Sequence, residues 1–173
     1  MKEIALESLQ LNPMTMIADD WWLITAGNEE RGYNTMTASW GHMGSIWGRP
    51  GHGNLPTIVV YVRPQRYTKE FVDREELFTL TVFDWEHHKA LGYLGTKSGR
   101  DEDKVAAVGF TPVFMDGTTG FAEARLTFVC RKLYRAPILE EGFCDREIVD
   151  AMYPERDFHD MYVGEILKVY AKD

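Results

Sequence analysis

A chain of 173 residues, 45% hydrophobic and 13% aromatic, has the size and composition of one core-forming domain, not of a disordered or fibrous polymer. Its formal charge of −8 comes without any lysine or arginine run, so neither a nucleic acid nor an anionic membrane is an expected partner. The stretch Met1 to Ser8 lacks the apolar region of a signal peptide, no run approaches a membrane span, and Cys130 and Cys144 form no CxxC pair; the expected location is cytoplasmic, with both thiols reduced and used for packing.

In chain order, Met14 to Ile17 and Trp21 to Ala26 read as paired strands around a polar Asp19-Asp20 turn. Met36 to Trp40 alternates and stops at Gly41. Gly44 to Pro56, with four glycines and two prolines, reads as a long loop. Thr57 to Val62 is apolar throughout, as in a strand covered on both faces, and Pro64 closes it. Thr68 can cap a short helix over Lys69 to Arg74. Phe78 to Phe83 alternates again. Asp84 can cap a helix over Glu86 to Leu94, with Gly95 as its stop, and Asp101 to Ala107 is a third short helix. Ala122 to Tyr134 is a long strand, and Tyr162 to Tyr170 is the closing one. Seven or eight strands with a few short peripheral helices describe a mainly β protein, a barrel occupying residues 1–173 as a single domain.

The familiar nucleotide signatures are missing: no Gly-x-Gly-x-x-Gly opens a helix and there is no P-loop. His87 and His88 are adjacent, so on a helix they point about 100° apart and do not chelate one ion; no metal is expected. Three segments carry the chemical interest. Asn34-Thr35-Met36-Thr37-Ala38-Ser39-Trp40-Gly41 is either a shelf of amides and hydroxyls facing a planar heterocycle or a half-exposed strand whose threonines suit the pleat. Arg63-Pro64-Gln65-Arg66-Tyr67-Thr68 places two arginines at a helix start, either for an anion or as surface charge. Gly95-Thr96-Lys97-Ser98-Gly99-Arg100-Asp101-Glu102-Asp103-Lys104 offers Lys97, Ser98, Arg100 and Lys104 as phosphate donors, or is a solvated turn. Together they argue for a phosphorylated planar ligand.

Those three segments, with His159-Asp160-Met161-Tyr162-Val163-Gly164-Glu165-Ile166 near the C-terminus, resemble the flavin reductase-like family and its flavoredoxin-like branch, in order and from about Asn12 to Lys168. The resemblance implies an FMN-binding split β-barrel. It places Asn34, Thr35, Met36, Thr37, Ala38, Ser39 and Trp40 along the isoalloxazine. It gives Arg63, Arg66, Tyr67 and Thr68 to the ribityl phosphate or its approach, and Lys97, Ser98 and Gly99 to the phosphate or the dimethylbenzene side. It sets His159 at the flavin edge beside an incoming nicotinamide. The implied activity is NAD(P)H-dependent flavin reduction, with hydride passing from the nicotinamide to flavin N5 across ~3–3.5 Å. The alternatives are a flavoredoxin-type electron carrier exchanging with a redox protein partner, and a non-catalytic barrel for flavin or another small ligand. The family habit implies a homodimer. The stretches Gly44 to Pro56 and Ala136 to Arg156 depart from the family pattern.

Overall fold

The computed structural model describes residues 1–51 and 53–172. Its strands are β1 (Lys2–Ile4), β2 (Trp22–Asn28), β3 (Gly32–Ala38), β4 (Gly41–Arg49), β5 (Gly53–Val62), β6 (Leu77–Val82), β7 (Pro112–Met115), β8 (Thr118–Phe121), β9 (Leu126–Pro137) and β10 (Asp160–Ala171). The helices are short: α1 (Pro13–Thr15), α2 (Thr68–Arg74), α3 (His88–Thr96), α4 (Lys104–Ala107) and α5 (Arg146–Met152). The protein is mainly β, as its alternating segments require.

One antiparallel ladder runs β3-β2-β6-β9-β10-β5-β4, with β1 added to β10, while β7 and β8 form a separate hairpin. The two ends of the ladder, β3 and β4, are consecutive in the chain. Ser39 and Trp40 therefore carry the backbone from one ladder end to the other, and the barrel is split at that point.

Strand β2 is buried on both sides. Trp22, Ile24 and Ala26 of β2 point into the barrel with Ile58, Val60, Phe78, Leu80, Phe128 and Tyr162. Leu23 points the other way, into a second cluster with Phe83, Leu91, Leu94, Phe110 and Phe121 beneath α3. Burial on both faces removes the polar alternation of a half-exposed strand. Gly41 opens β4 where the Trp22 indole meets it. A Cβ there would lie 2.8 Å from the Val59 carbonyl oxygen and collide with the indole, so the close approach requires glycine.

Several sequence expectations are corrected. Met14 to Ile17 is no strand. Asn12 accepts from the Met14 amide, Pro13 is the first helical residue, and a wider turn follows over Met16–Asp20. This is the usual N-terminal chemistry of a helix. Trp21 lies at φ 64° and starts the sheet only at Trp22. Gly44 to Pro56 is no loop but the arms of the β4–β5 hairpin, whose register shifts between Ser45 and Gly48; His52 lies outside the described residues, as does Asp173. Thr68 is the first residue of α2 and its hydroxyl does not cap it; Asp84 makes no capping bond either. Asp103 does cap α4, accepting from the Ala106 amide. Ala122 to Arg125 precede β9 as a turn, held by Arg125 N donating to the Val82 carbonyl at 2.8 Å. Ten strands replace the seven or eight anticipated, among the described residues.

Candidate functional site

The split in the barrel is where the candidate segments meet. On one side β3 ends the ladder, so its outward backbone groups have no strand partner. On the other, β5 runs into Arg63 and the turn before α2, while the end of α3 leads into Lys97 and Ser98. Between them lies a trough of two connected chambers, both bounded by Met36 and Arg66.

The first chamber, about 230 Å³, is walled by Thr37, Ala38, Ser39 and Trp40 opposite Tyr61, Arg63 and His159. His159 is buried immediately before β10, its ring centroid 5.2 Å from that of Trp40. Its Nδ1 lies 2.8 Å from the Tyr153 phenol oxygen. Burial pushes its pKa down to about 4, the charges of Arg63 and Arg66 push the same way, and Asp157 opposes them. The imidazole is therefore neutral at pH 7. Arg63 is committed to Asp157, to the Met152 carbonyl at 2.8 Å and to the face of Tyr153. It belongs to the His159 end.

The second chamber, about 150 Å³, is walled by Asn34, Gln65, Tyr67, Thr68, Lys97 and Ser98, with Thr96 and Lys104. Lys104 decides its chemistry. Its side chain is 4% exposed, and Nζ donates to the carbonyls of Leu94 and Lys97, each at 3.0 Å. Arg66 donates to the Gly95 carbonyl at 2.7 Å. Among the described residues neither cation is ion-paired with a carboxylate. Burial pulls the Lys104 pKa down to about 8, Arg66 adds to the effect and Glu102 opposes it. A buried ammonium without an ion-pair partner is costly. The cost is offset when an anion enters the chamber.

The trough thus joins Asn34, Met36, Thr37, Ala38, Ser39, Trp40, Arg63, Arg66, Tyr67, Thr68, Lys97, Ser98 and His159 of the sequence candidates. Two do not line it. Thr35 turns its hydroxyl into the barrel wall, 2.7 Å from Thr25 Oγ1, because alternate residues of a strand face opposite sides. Gly99 lines a neighbouring hollow and backs onto Asn34, whose side-chain oxygen would clash with any Cβ there. Arg100 is drawn away to Glu70 and the face of Tyr67. The sequence reading included Lys104 only as one donor among four. Its burial depends on Asp103 starting α4 at that residue, which a donor count does not reveal. Tyr61, Gln65 and Thr96 were not singled out at all.

The trough has an indole and a neutral imidazole at one end and, at the other, two cations that no carboxylate ion-pairs among the described residues. The flavin reductase like domain matches residues 14–173. The chain belongs to this family. Flavoredoxin from Desulfovibrio vulgaris (Miyazaki F) superposes with a TM-score of 0.66 at 21% identity, over 100% of this chain and 78% of that one. Nitrilotriacetate monooxygenase component B from Bacillus cereus gives 0.65 at 15% identity, over 100% and 82%. The FMN-binding domain of a flavin reductases-like enzyme from Shewanella baltica OS155 gives 0.65 at 14%, over 99% and 76%. Among the curated proteins none matches in sequence. Likeness at these identities establishes the split-barrel fold that this member of the family shares. Among the described residues no cluster of His, Cys, Asp or Glu could hold a metal, and no helix is long and apolar enough to cross a membrane.

Proposed function

We propose that the trough binds FMN, with the phosphate at Lys104 and Arg66 and the isoalloxazine along Met36 to Trp40, and that the protein is an NAD(P)H-dependent flavin oxidoreductase. The observation that carries the reading is a buried Lys104 and a half-buried Arg66, neither ion-paired with a carboxylate among the described residues, at one end of the trough. A phosphate dianion offers the missing charge, and charge-assisted hydrogen bonds contribute about 1.5–3 kcal/mol each. Lys97, Ser98 and Thr68 supply further donors around it. Membership of the flavin reductase like family and the FMN-binding Shewanella relative support the same ligand.

FMN supplies hydride chemistry at its N5. The side chains position and polarise. Backbone amides of β3 and the Ser39 hydroxyl would face the ring's polar edge, where negative charge grows on reduction. His159, neutral and held by Tyr153, borders the open side where a nicotinamide would stack, so it adds no positive charge beside the hydride donor. We assign it a positioning role. Cys130 is buried with its thiol pushed up by burial, and the proposal gives neither cysteine a redox task. A homodimer is the expected state, since Ile46, Trp47 and Tyr134 expose apolar surface along β4 and β9.

Titrating the purified protein with FMN and then mixing it anaerobically with NADH or NADPH tests the proposal. One FMN per chain with rapid bleaching of the flavin supports it. A flavin that binds but ignores both nucleotides selects the second reading, an electron carrier, which the flavoredoxin relative favours.

A further inference from the structure

A larger cavity, about 540 Å³, opens on the far side of Trp40. It meets the first chamber of the trough at Ser39, Trp40 and Tyr61, which line both. Its remaining wall comes mainly from Pro13, Met14, Ile17, Ala18, Met43 and Ile138, on α1, the turn that follows, β4 and the segment after β9. The volume is that of a site for a small organic molecule.

The two spaces differ in charge. The trough has Arg63, Arg66 and Lys104 on its walls. Among the described residues no Lys, Arg, Asp or Glu lines the larger cavity. A nucleotide pyrophosphate placed there would have no counter-charge, and burying it unpaired would cost far more than its ring contacts return. One polar feature interrupts the apolar wall. Tyr61 Oη and His42 Nδ1 share a hydrogen bond at 3.3 Å, and burial holds the Tyr61 phenol above its usual range, so it stays a donor. Each partner keeps capacity for one more hydrogen bond. Aromatic faces from Trp40 and Tyr153 complete the wall and suit a ring.

We infer that this cavity is a binding site for a small uncharged molecule of one or two rings carrying a single oxygen function, held against the flavin site across Trp40 and Tyr61. Its position relative to a bound flavin rests on the reading above; its ligand class rests on the cavity alone. The apolar walls take the rings, and the Tyr61–His42 pair takes the oxygen.

Isothermal titration of the FMN-loaded protein at pH 7 with 2-naphthol and with 2-naphthalenesulfonate tests the inference. The two probes share a ring system and differ in charge. The naphthol binds at least about tenfold more tightly, because the sulfonate has no partner in the cavity. Met14→Glu and Met43→Glu place a carboxylate at the mouth and wall; each weakens 2-naphthol binding by about tenfold or more while the FMN dissociation constant is unchanged. Met14 is 71% exposed, so its variant has no folding defect to confound the result. Equal affinity for the two probes overturns the inference, as does naphthol binding that neither variant alters. A dimer by light scattering that refuses 2-naphthol, and that Met14→Glu turns into a monomer, assigns the cavity to a second copy of the chain and also overturns it. FMN binding without naphthol binding removes the cavity site and leaves the flavin reading standing. If the protein takes up no FMN and the same titration of the flavin-free protein still shows 2-naphthol binding, the cavity site stands and the flavin reading falls.

Discussion

Asn34 Nδ2 donates to Thr68 Oγ1 at 2.8 Å, and this bond ties the ladder's end strand β3 to the first residue of α2. Both side chains are buried, so neither partner has water as a substitute. Thr68→Val keeps the shape and removes the acceptor. Leaving a buried donor unsatisfied costs about 1–3 kcal/mol. The expected outcome is a lower urea midpoint at unchanged slope, with Thr68→Ser restoring most of the loss. Full stability in the valine variant would show that this tie carries no weight.

Lys104 supplies a second prediction. Its native pKa of about 8 lies below the ordinary 10.5, so the unfolded chain binds a proton that the folded one releases between those values. Stability therefore rises as pH climbs from about 8 to 10.5, and the rise disappears in Lys104→Met. The same variant should bind FMN about tenfold to a hundredfold more weakly while riboflavin affinity hardly moves, since riboflavin lacks the phosphate. Comparing the two flavins by fluorescence quenching checks it. An undiminished preference for FMN would remove the phosphate assignment.

For His159 the pH dependence runs toward acid. Its native pKa of about 4 lies below the ordinary 6.5, so the unfolded chain alone takes up a proton as pH falls through that interval. The contribution is complete above pH 6.5 and is lost progressively down to pH 4, of order 3 kcal/mol in all. Unfolding midpoints measured at pH 7 and pH 4.5 should converge in His159→Gln. The same variant should keep FMN yet be reduced by NAD(P)H about ten- to a hundredfold more slowly, because small displacements of reacting atoms are expensive in rate. If both quantities match the unmodified protein, His159 is only a packed rim residue.

Gly99 is predicted to act at one remove. A Cβ at this position would press on Asn34, which carries the bond to Thr68. Gly99→Ala should weaken FMN binding without introducing any charge, and calorimetry would detect it. An unaltered affinity would mean that Asn34 yields at no cost.

The parts of this fold that were readable are those where one signal dominates. Thr57 to Val62 is a run of β-branched and aromatic residues and forms the second half of β5, with Thr57, Ile58, Val60 and Val62 buried. Phe78 to Phe83 falls within one residue of β6 at either end. Met14 to Ile17 failed because a four-residue apolar run suits a strand or a helix equally, and only Asn12 and Pro13 before it break the tie. The β4–β5 hairpin failed for a different reason. Residues Gly44 to Arg49 are exposed on both sides for most of their length, so no face imposes a hydrophobic period, and glycine and proline content suggests a loop. At the site, the segments were legible but the orientation of individual side chains was not. Thr35 and Thr37 look alike in sequence, yet the first faces Thr25 and the second donates to the Leu91 carbonyl at the trough wall. Lys104 and Arg100 are both plausible donors, and only the neighbouring carboxylates show which is already occupied.

The order of the ladder has a kinetic consequence. Its pairings β2–β3, β4–β5 and β9–β10 join consecutive strands, whereas β2–β6, β6–β9, β5–β10 and β1–β10 join strands remote in the chain. Local hairpins form early and cheaply; the remote seams wait for loop closure. The trough draws on β3, the turn before α2, the end of α3, the start of α4 and the start of β10, so no single hairpin contains it. A half-folded chain has nowhere to put the ligand. Whatever fills the trough can act only once the last seams have closed, lengthening the lifetime of the native state while leaving the rate of refolding where it was.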